Sequence, residues 1–128
     1  MDQDPRAVVI IEEDPEWVEI LQKYLRNFAT TIALRTFQEV EKFVAEVENG
    51  LISVVIAAII VDGNLTKADT SNNDGTKIIE RLLEVPALAG VPIIGNASLP
   101  LSNVEINLEK DFDMIKRLPS LIPPASTS

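Results

Sequence analysis

Cysteine and histidine are both missing from the 128 residues. That double absence removes whole classes of chemistry. A zinc site built on thiolate or imidazole ligands is excluded, and so are Ser-His-Asp and Cys-His catalysis and thiol redox chemistry. Basic charge is scarce as well. Eleven Lys and Arg stand against 20 Asp and Glu, a net charge of −9, which argues against a nucleic-acid backbone as partner. Most of that acidity serves solubility. Long hydrophobic runs are also lacking: the longest, residues 51–61, is interrupted by Ser53 and is too short to span a bilayer. No basic region precedes a hydrophobic one near the N-terminus, so no signal peptide is expected and a cytoplasmic location is.

What is present has the composition of a globular protein, 46% hydrophobic and 24% charged, at the length of one domain. A single domain is expected over residues 1–120. The tail, residues 121–128, has no core to contribute and is expected to be loose. Residues 7–11 form a short, fully apolar and β-rich run that suits a strand buried on both faces. Asp14-Pro15 supplies an N-cap and a first-turn proline, and Trp17, Ile20, Leu21, Tyr24, Leu25 and Phe28 recur at helical spacing. A helix over 15–27 follows. Residues 30–35 alternate as a half-exposed strand does. Thr36 and Glu39 have capping-box spacing ahead of the stripe Val40, Phe43, Val44, Val47, and Asn49-Gly50 closes that second helix.

The most hydrophobic stretch, 53–61, reads as the central strand and ends at Asp62. A polar segment then leads to a third helix over about 75–84, bearing Ile78, Ile79, Leu82 and Leu83. Strands are expected at 91–95 and 104–108, and a last helix from Asp111 to about Leu118, stopped by Pro119. Strand and helix alternate throughout. The pattern predicts an α/β fold: a doubly wound, five-stranded parallel sheet with helices on both faces.

Ligands of such sheets gather at the carboxyl ends of the strands, near the point where strand order reverses. The acids of this chain fall there. The segment "VVIIEEDPEW", residues 8–17, presents Glu12 and Glu13 as its strand ends, and Asp62 follows the central strand. Like charges held close need open water or a cation. Convergent carboxylates are hard ligands suited to Mg²⁺, and an aspartate is an established acceptor of phosphoryl groups. Asp62 is the candidate nucleophile, and Lys110, after the fifth strand, is placed to pair with a phosphoryl group.

In order and spacing these residues resemble the receiver domains of two-component response regulators, over residues 6–118. "IIEEDP" looks like that family's acidic pair, and "IIVDGN" puts Asp62 at the phosphoacceptor position. "NDG", residues 73–75, resembles the Asp-Gly that opens the third helix, and "LEKDF" resembles Lys-Pro-Phe. The resemblance implies a flavodoxin-like sheet, Mg²⁺ held by Glu13, Asp62 and, through water, Glu12, and a phosphoryl group that comes from a histidine kinase or phosphotransfer protein. It also implies a signalling protein that works through protein contacts rather than as an enzyme.

The departures from that pattern are equally specific. Glu13 stands where the second acid is commonly Asp, and its extra methylene shifts or weakens a metal. Where the family carries a Ser or Thr hydroxyl, "GNAS" offers Ala97 or, one step on, Ser98. The aromatic switch position is Asn107. "SLPLSN" leaves too little room for a full fourth helix, which is expected to be shortened or missing. Hence the alternative of a pseudo-receiver, an interaction module that is not phosphorylated, with a Mg²⁺-dependent phosphatase as a remote third reading.

Bland readings stand beside these. Asp62 could simply cap a loop, Glu12 and Glu13 could be solvated at the sheet rim, and Lys110 could be an ordinary surface lysine. Trp17 and Tyr24 read as core and flank. A calcium loop over 69–80 fails at its sixth position, Asp74, where Gly belongs. "VDGNL" resembles the first motif of haloacid-dehalogenase-like phosphatases but has Asn64 where the second Asp is required.

Overall fold

The structure, a computed structural model, describes residues 6–26, 29–52, 55–62, 73–96, 106–107, 116–117 and 120. Ala97, Ser98, the segment expected to lack a full fourth helix, Lys110 and the tail lie outside them. Five strands make one parallel sheet: β1 (Arg6–Ile11), β2 (Thr30–Leu34), β3 (Val55–Val61), β4 (Ile93–Gly95) and β5 (Ile106–Asn107), in the order β2-β1-β3-β4-β5. Among the described residues three helices connect β1 to β4: α1 (Pro15–Leu25), α2 (Phe37–Glu48) and α3 (Asn73–Leu83). This is the expected flavodoxin-like sheet, and its strand order reverses between β1 and β3.

Strand parity divides the core into two layers. Val9 and Ile11 of β1 and Ile59 and Val61 of β3 pack with Val40, Phe43 and Val44 of α2 and Ile78, Ile79 and Leu82 of α3. Their neighbours Val8, Ile10, Ala58 and Ile60 pack on the opposite face with Val18, Leu21 and Leu25 of α1. Residues 7–11 are wholly buried, which is why β1 is continuously apolar instead of alternating. The register slips once, between Ala7 and Val8, where Ala57 is passed over. That irregularity lets Ala57 and Ala58 both join the α1 face.

The local signals act as the sequence predicts. Asp14 caps α1 by accepting from the Glu16 N–H at 3.0 Å, ahead of Pro15. Thr36 Oγ1 accepts from the Glu39 N–H at 3.1 Å, and the Glu39 carboxylate reaches back to the N–H of Arg35 at 2.9 Å, one residue before the usual capping-box donor. Helix α2 ends in a Schellman motif: Leu51 N–H donates to the Glu46 carbonyl at 2.8 Å and Gly50 N–H to Val47 at 3.1 Å. Gly50 has the left-handed φ of 69° that this geometry requires.

Several boundaries differ from expectation, among them the start of β4 at Ile93 instead of Val91. Helix α3 begins at Asn73, so Asp74-Gly75 lies in its first turn. A 3-10 turn, Pro86–Leu88, which helical periodicity does not foreshadow, seats Leu88 in the core before β4. Backbone at Lys116, Arg117 and also Ser120 is helical, two residues past the predicted stop, where the Ser120 hydroxyl donates to the Arg117 carbonyl at 2.7 Å. Between α2 and α3, Arg81 meets Glu41 at 3.2 Å, Glu48 at 3.4 Å and Glu84 at 3.8 Å. The hydrogen bond to Glu41 raises the guanidinium pKa above its ordinary value; desolvation opposes the rise, and the charges of Glu41 and Glu48 add to it. Among the described residues no helix is long and apolar enough to cross a membrane.

Candidate functional site

Each strand at the centre of the sheet hands its last hydrogen bond to the residue just beyond its neighbour's end. Glu12 N–H donates to the Leu34 carbonyl at 3.0 Å, Asp62 N–H to Ile11 at 2.8 Å, and Asn96 N–H to Val61 at 2.8 Å. Glu12, Asp62 and Asn96 therefore stand side by side at the carboxyl edge of β1, β3 and β4. All three are buried, at 2%, 7% and 1% exposure. They are the only buried polar or charged residues among those described. A row of buried polar groups across the strand-order switch is where an α/β sheet builds a site.

The sequence reading expected Glu12, Glu13 and Asp62 to meet. The structure places Glu12 and Asp62 together at the switch point. Glu12 Oε2 accepts the N–H of Asp14 at 3.1 Å, which folds its side chain back over the loop leading into α1. Glu13 is half-buried, and its carbonyl accepts from Arg35 Nη2 at 3.1 Å, so the end of β2 steadies the β1–α1 loop. Among the described residues no three carboxylates converge into a group that could hold a metal ion. Glu12 and Asp62 are neighbouring oxygen donors of the right chemistry for a hard cation, which takes one or two carboxylates and completes its shell with water.

Asn96 is the member that sequence reasoning passed over. The resemblance points instead to the next two positions, Ala97 and Ser98, for the family's hydroxyl. Asn96 Oδ1 accepts from the indole N–H of Trp17 at 2.7 Å, across 79 positions of sequence. The available signal was a polar residue directly after an apolar strand, the same pattern that singled out Asp62. Trp17 itself packs partly buried on the α1 face, close to its expected role as a core residue, and Tyr24 is half-exposed on the flank.

No protein-family model and no curated protein sequence matches the chain. Solved structures do. A phosphorylated cyanobacterial phytochrome response regulator, RcpA, aligns over 96% of this chain and 99% of its own with a TM-score of 0.74 and 14% identity. The Mn²⁺-bound form of response regulator Rcp1 aligns over 91% of both chains at 0.68 and 18%. A receiver domain of a DNA-binding response regulator from Colwellia psychrerythraea aligns over 90% of this chain and 96% of its own at 0.66 and 18%. The chain has the fold of response-regulator receiver domains. At this level of identity the likeness is one of fold.

Proposed function

We propose that the domain is a signal-transduction receiver that accepts a phosphoryl group on Asp62 from a histidine kinase or phosphotransfer protein. One observation carries the reading: Asp62 is a buried carboxylate at the carboxyl end of the central strand, beside a second buried carboxylate, Glu12, at the point where strand order reverses. In the transfer, an Asp62 oxygen forms the new P–O bond as the donor's P–N bond breaks, and the departing imidazole takes a proton. These 128 residues contain no histidine, so the phosphoryl donor lies outside them. The resemblance assigns Lys110 to pair with the phosphoryl group, and Ala97 or Ser98 to the family's hydroxyl position. Such a domain is an acceptor with a protein readout, not a turnover enzyme. The fold is that of the phosphorylated and Mn²⁺-bound regulators named above.

A second reading is favoured by a specific feature. Glu12 is folded onto Asp14, and no carboxylate triad forms among the described residues. That suits a pseudo-receiver whose sheet edge is a docking scaffold that is never phosphorylated. Intact-mass spectrometry after incubation with acetyl phosphate, with and without Mg²⁺, separates the two. A phosphoryl adduct on the parent and none on Asp62→Asn supports the receiver. No adduct on folded parent under either condition overturns it in favour of the docking module. An adduct that persists in Asp62→Asn shows that the acceptor lies elsewhere.

A further inference from the structure

A single peptide group joins Arg35 to Glu12. The carbonyl of Glu13 accepts from Arg35 Nη2 at 3.1 Å, and the N–H of Asp14, part of the same peptide unit, donates to Glu12 Oε2 at 3.1 Å. In a planar trans peptide the carbonyl and the N–H point in opposite directions, and no peptide bond among the described residues is cis. The guanidinium and the Glu12 carboxylate therefore hold this peptide from its two sides. Rotating it would break both bonds at once. The end of β2 grips the loop a second time, because the Leu34 carbonyl accepts the N–H of Glu12 at 3.0 Å. Arg35 is itself anchored: its main-chain N–H donates to the carboxylate of Glu39, in the first turn of α2, at 2.9 Å.

We propose that Arg35 is a positioning residue for the site: through the Glu13–Asp14 peptide it fixes the carboxylate of Glu12, which with Asp62 would hold a divalent cation. A charged donor on the carbonyl polarises the peptide and makes its N–H the stronger donor to Glu12. Hydrogen bonds made to a ligating carboxylate orient it, and losing one commonly costs about tenfold or more in metal affinity. The Glu13 backbone takes part in this, and its side chain does not. The effect also has a sign that charge alone does not have. Taking a cation away from a metal site favours Mn²⁺ through the Coulomb interaction, whereas losing the hold on Glu12 disfavours it. Positioning wins, because Arg35 is exposed and solvent screens its charge, while Glu12 is buried. The inference rests on the receiver reading for the cation, and on the two hydrogen bonds for the coupling.

The test is Arg35→Met in the full chain, a change at an exposed side chain that leaves the core untouched. Without metal, the amide proton of Asp14 should move upfield and exchange several-fold faster. In titrations with Mn²⁺ alone, followed by paramagnetic broadening near Asp62, the dissociation constant should rise several-fold. Arg35→Lys, which keeps the charge and a donor, should restore most of both. A dissociation constant that is unchanged or lower in Arg35→Met overturns the proposal, and so does an Asp14 amide that stays where it was. A parent that binds no Mn²⁺ overturns it as well. A merely structural arginine would change stability and leave the affinity alone. The adduct measurement separates these outcomes from the receiver reading. An adduct on the parent with an unchanged Mn²⁺ affinity in Arg35→Met sinks the positioning role alone, and a weakened affinity without any adduct sinks the phosphoacceptor alone.

Discussion

The main-chain N–H of Asp62 donates to the carbonyl of Ile11 at 2.8 Å, one residue beyond the last pair of the β1–β3 ladder. That one bond carries Asp62 alongside Glu12, although 49 residues separate them. It also restricts what the pair can do. Side chains at equal height on adjacent parallel strands lie side by side, and a third carboxylate must reach in from a loop. Glu13 is in that loop, and its backbone carbonyl accepts from Arg35.

The first expectation concerns metal. Glu12 and Asp62 are the neighbouring carboxylates and Glu13 joins them in no three-carboxylate group among the described residues, so Glu13→Gln should leave the Mn²⁺ binding curve unchanged. Paramagnetic broadening of resonances near Asp62 is the measurement. A marked loss of affinity in Glu13→Gln would mean that Glu13 moves into the site when the ion is present.

Core packing gives a sharp contrast within one helix. Leu21→Ala should cost about 2–5 kcal/mol of unfolding free energy in urea titration, since Leu21 is fully buried against the sheet. Tyr24→Ala, at a residue 50% exposed, should cost far less.

Capping can be tested at two helices. Asp14→Ala and Thr36→Ala each remove a side-chain acceptor for an otherwise unmatched first-turn N–H, and each should lower stability by about 1 kcal/mol. Gly in place of Ala should recover most of that loss at either site.

Gly50→Ala tests backbone alone. An added Cβ meets nothing within 4 Å, so the cost should be purely that of the left-handed φ, roughly 1–2 kcal/mol. Gly50→Asn should be milder, because Asn tolerates that conformation.

Arg81→Met should destabilise the α2–α3 pairing measurably in low salt, and the difference should shrink in high salt. Thermal unfolding at two ionic strengths checks it. A difference independent of salt would place the effect in packing of the arginine stem.

Much of the fold was legible because its signals are local. Five buried residues in a row, a Pro after a capping Asp, and stripes at three- and four-residue spacing each act within a few residues of backbone. Strand β1, helices α1 and α2 and the closing Asn49-Gly50 appear where those signals put them. The 3-10 turn at Pro86–Leu88 carries no periodic signature, and tertiary burial of Leu88 stabilises it. The α/β alternation and the acids at strand ends likewise pointed to Glu12 and Asp62.

The sequence by itself thus determined the elements, their order and the presence of carboxylates at the sheet's carboxyl edge, since hydrophobic period and capping are properties of neighbouring residues. Only the tertiary structure decided which polar groups share that edge. Register between β1 and β3 joined Glu12 to Asp62, Arg35 bonded the backbone carbonyl of Glu13, and a hydrogen bond spanning 79 positions tied Asn96 to Trp17. Such pairings depend on where strands end relative to one another and on which donor faces which acceptor, and no local pattern encodes that.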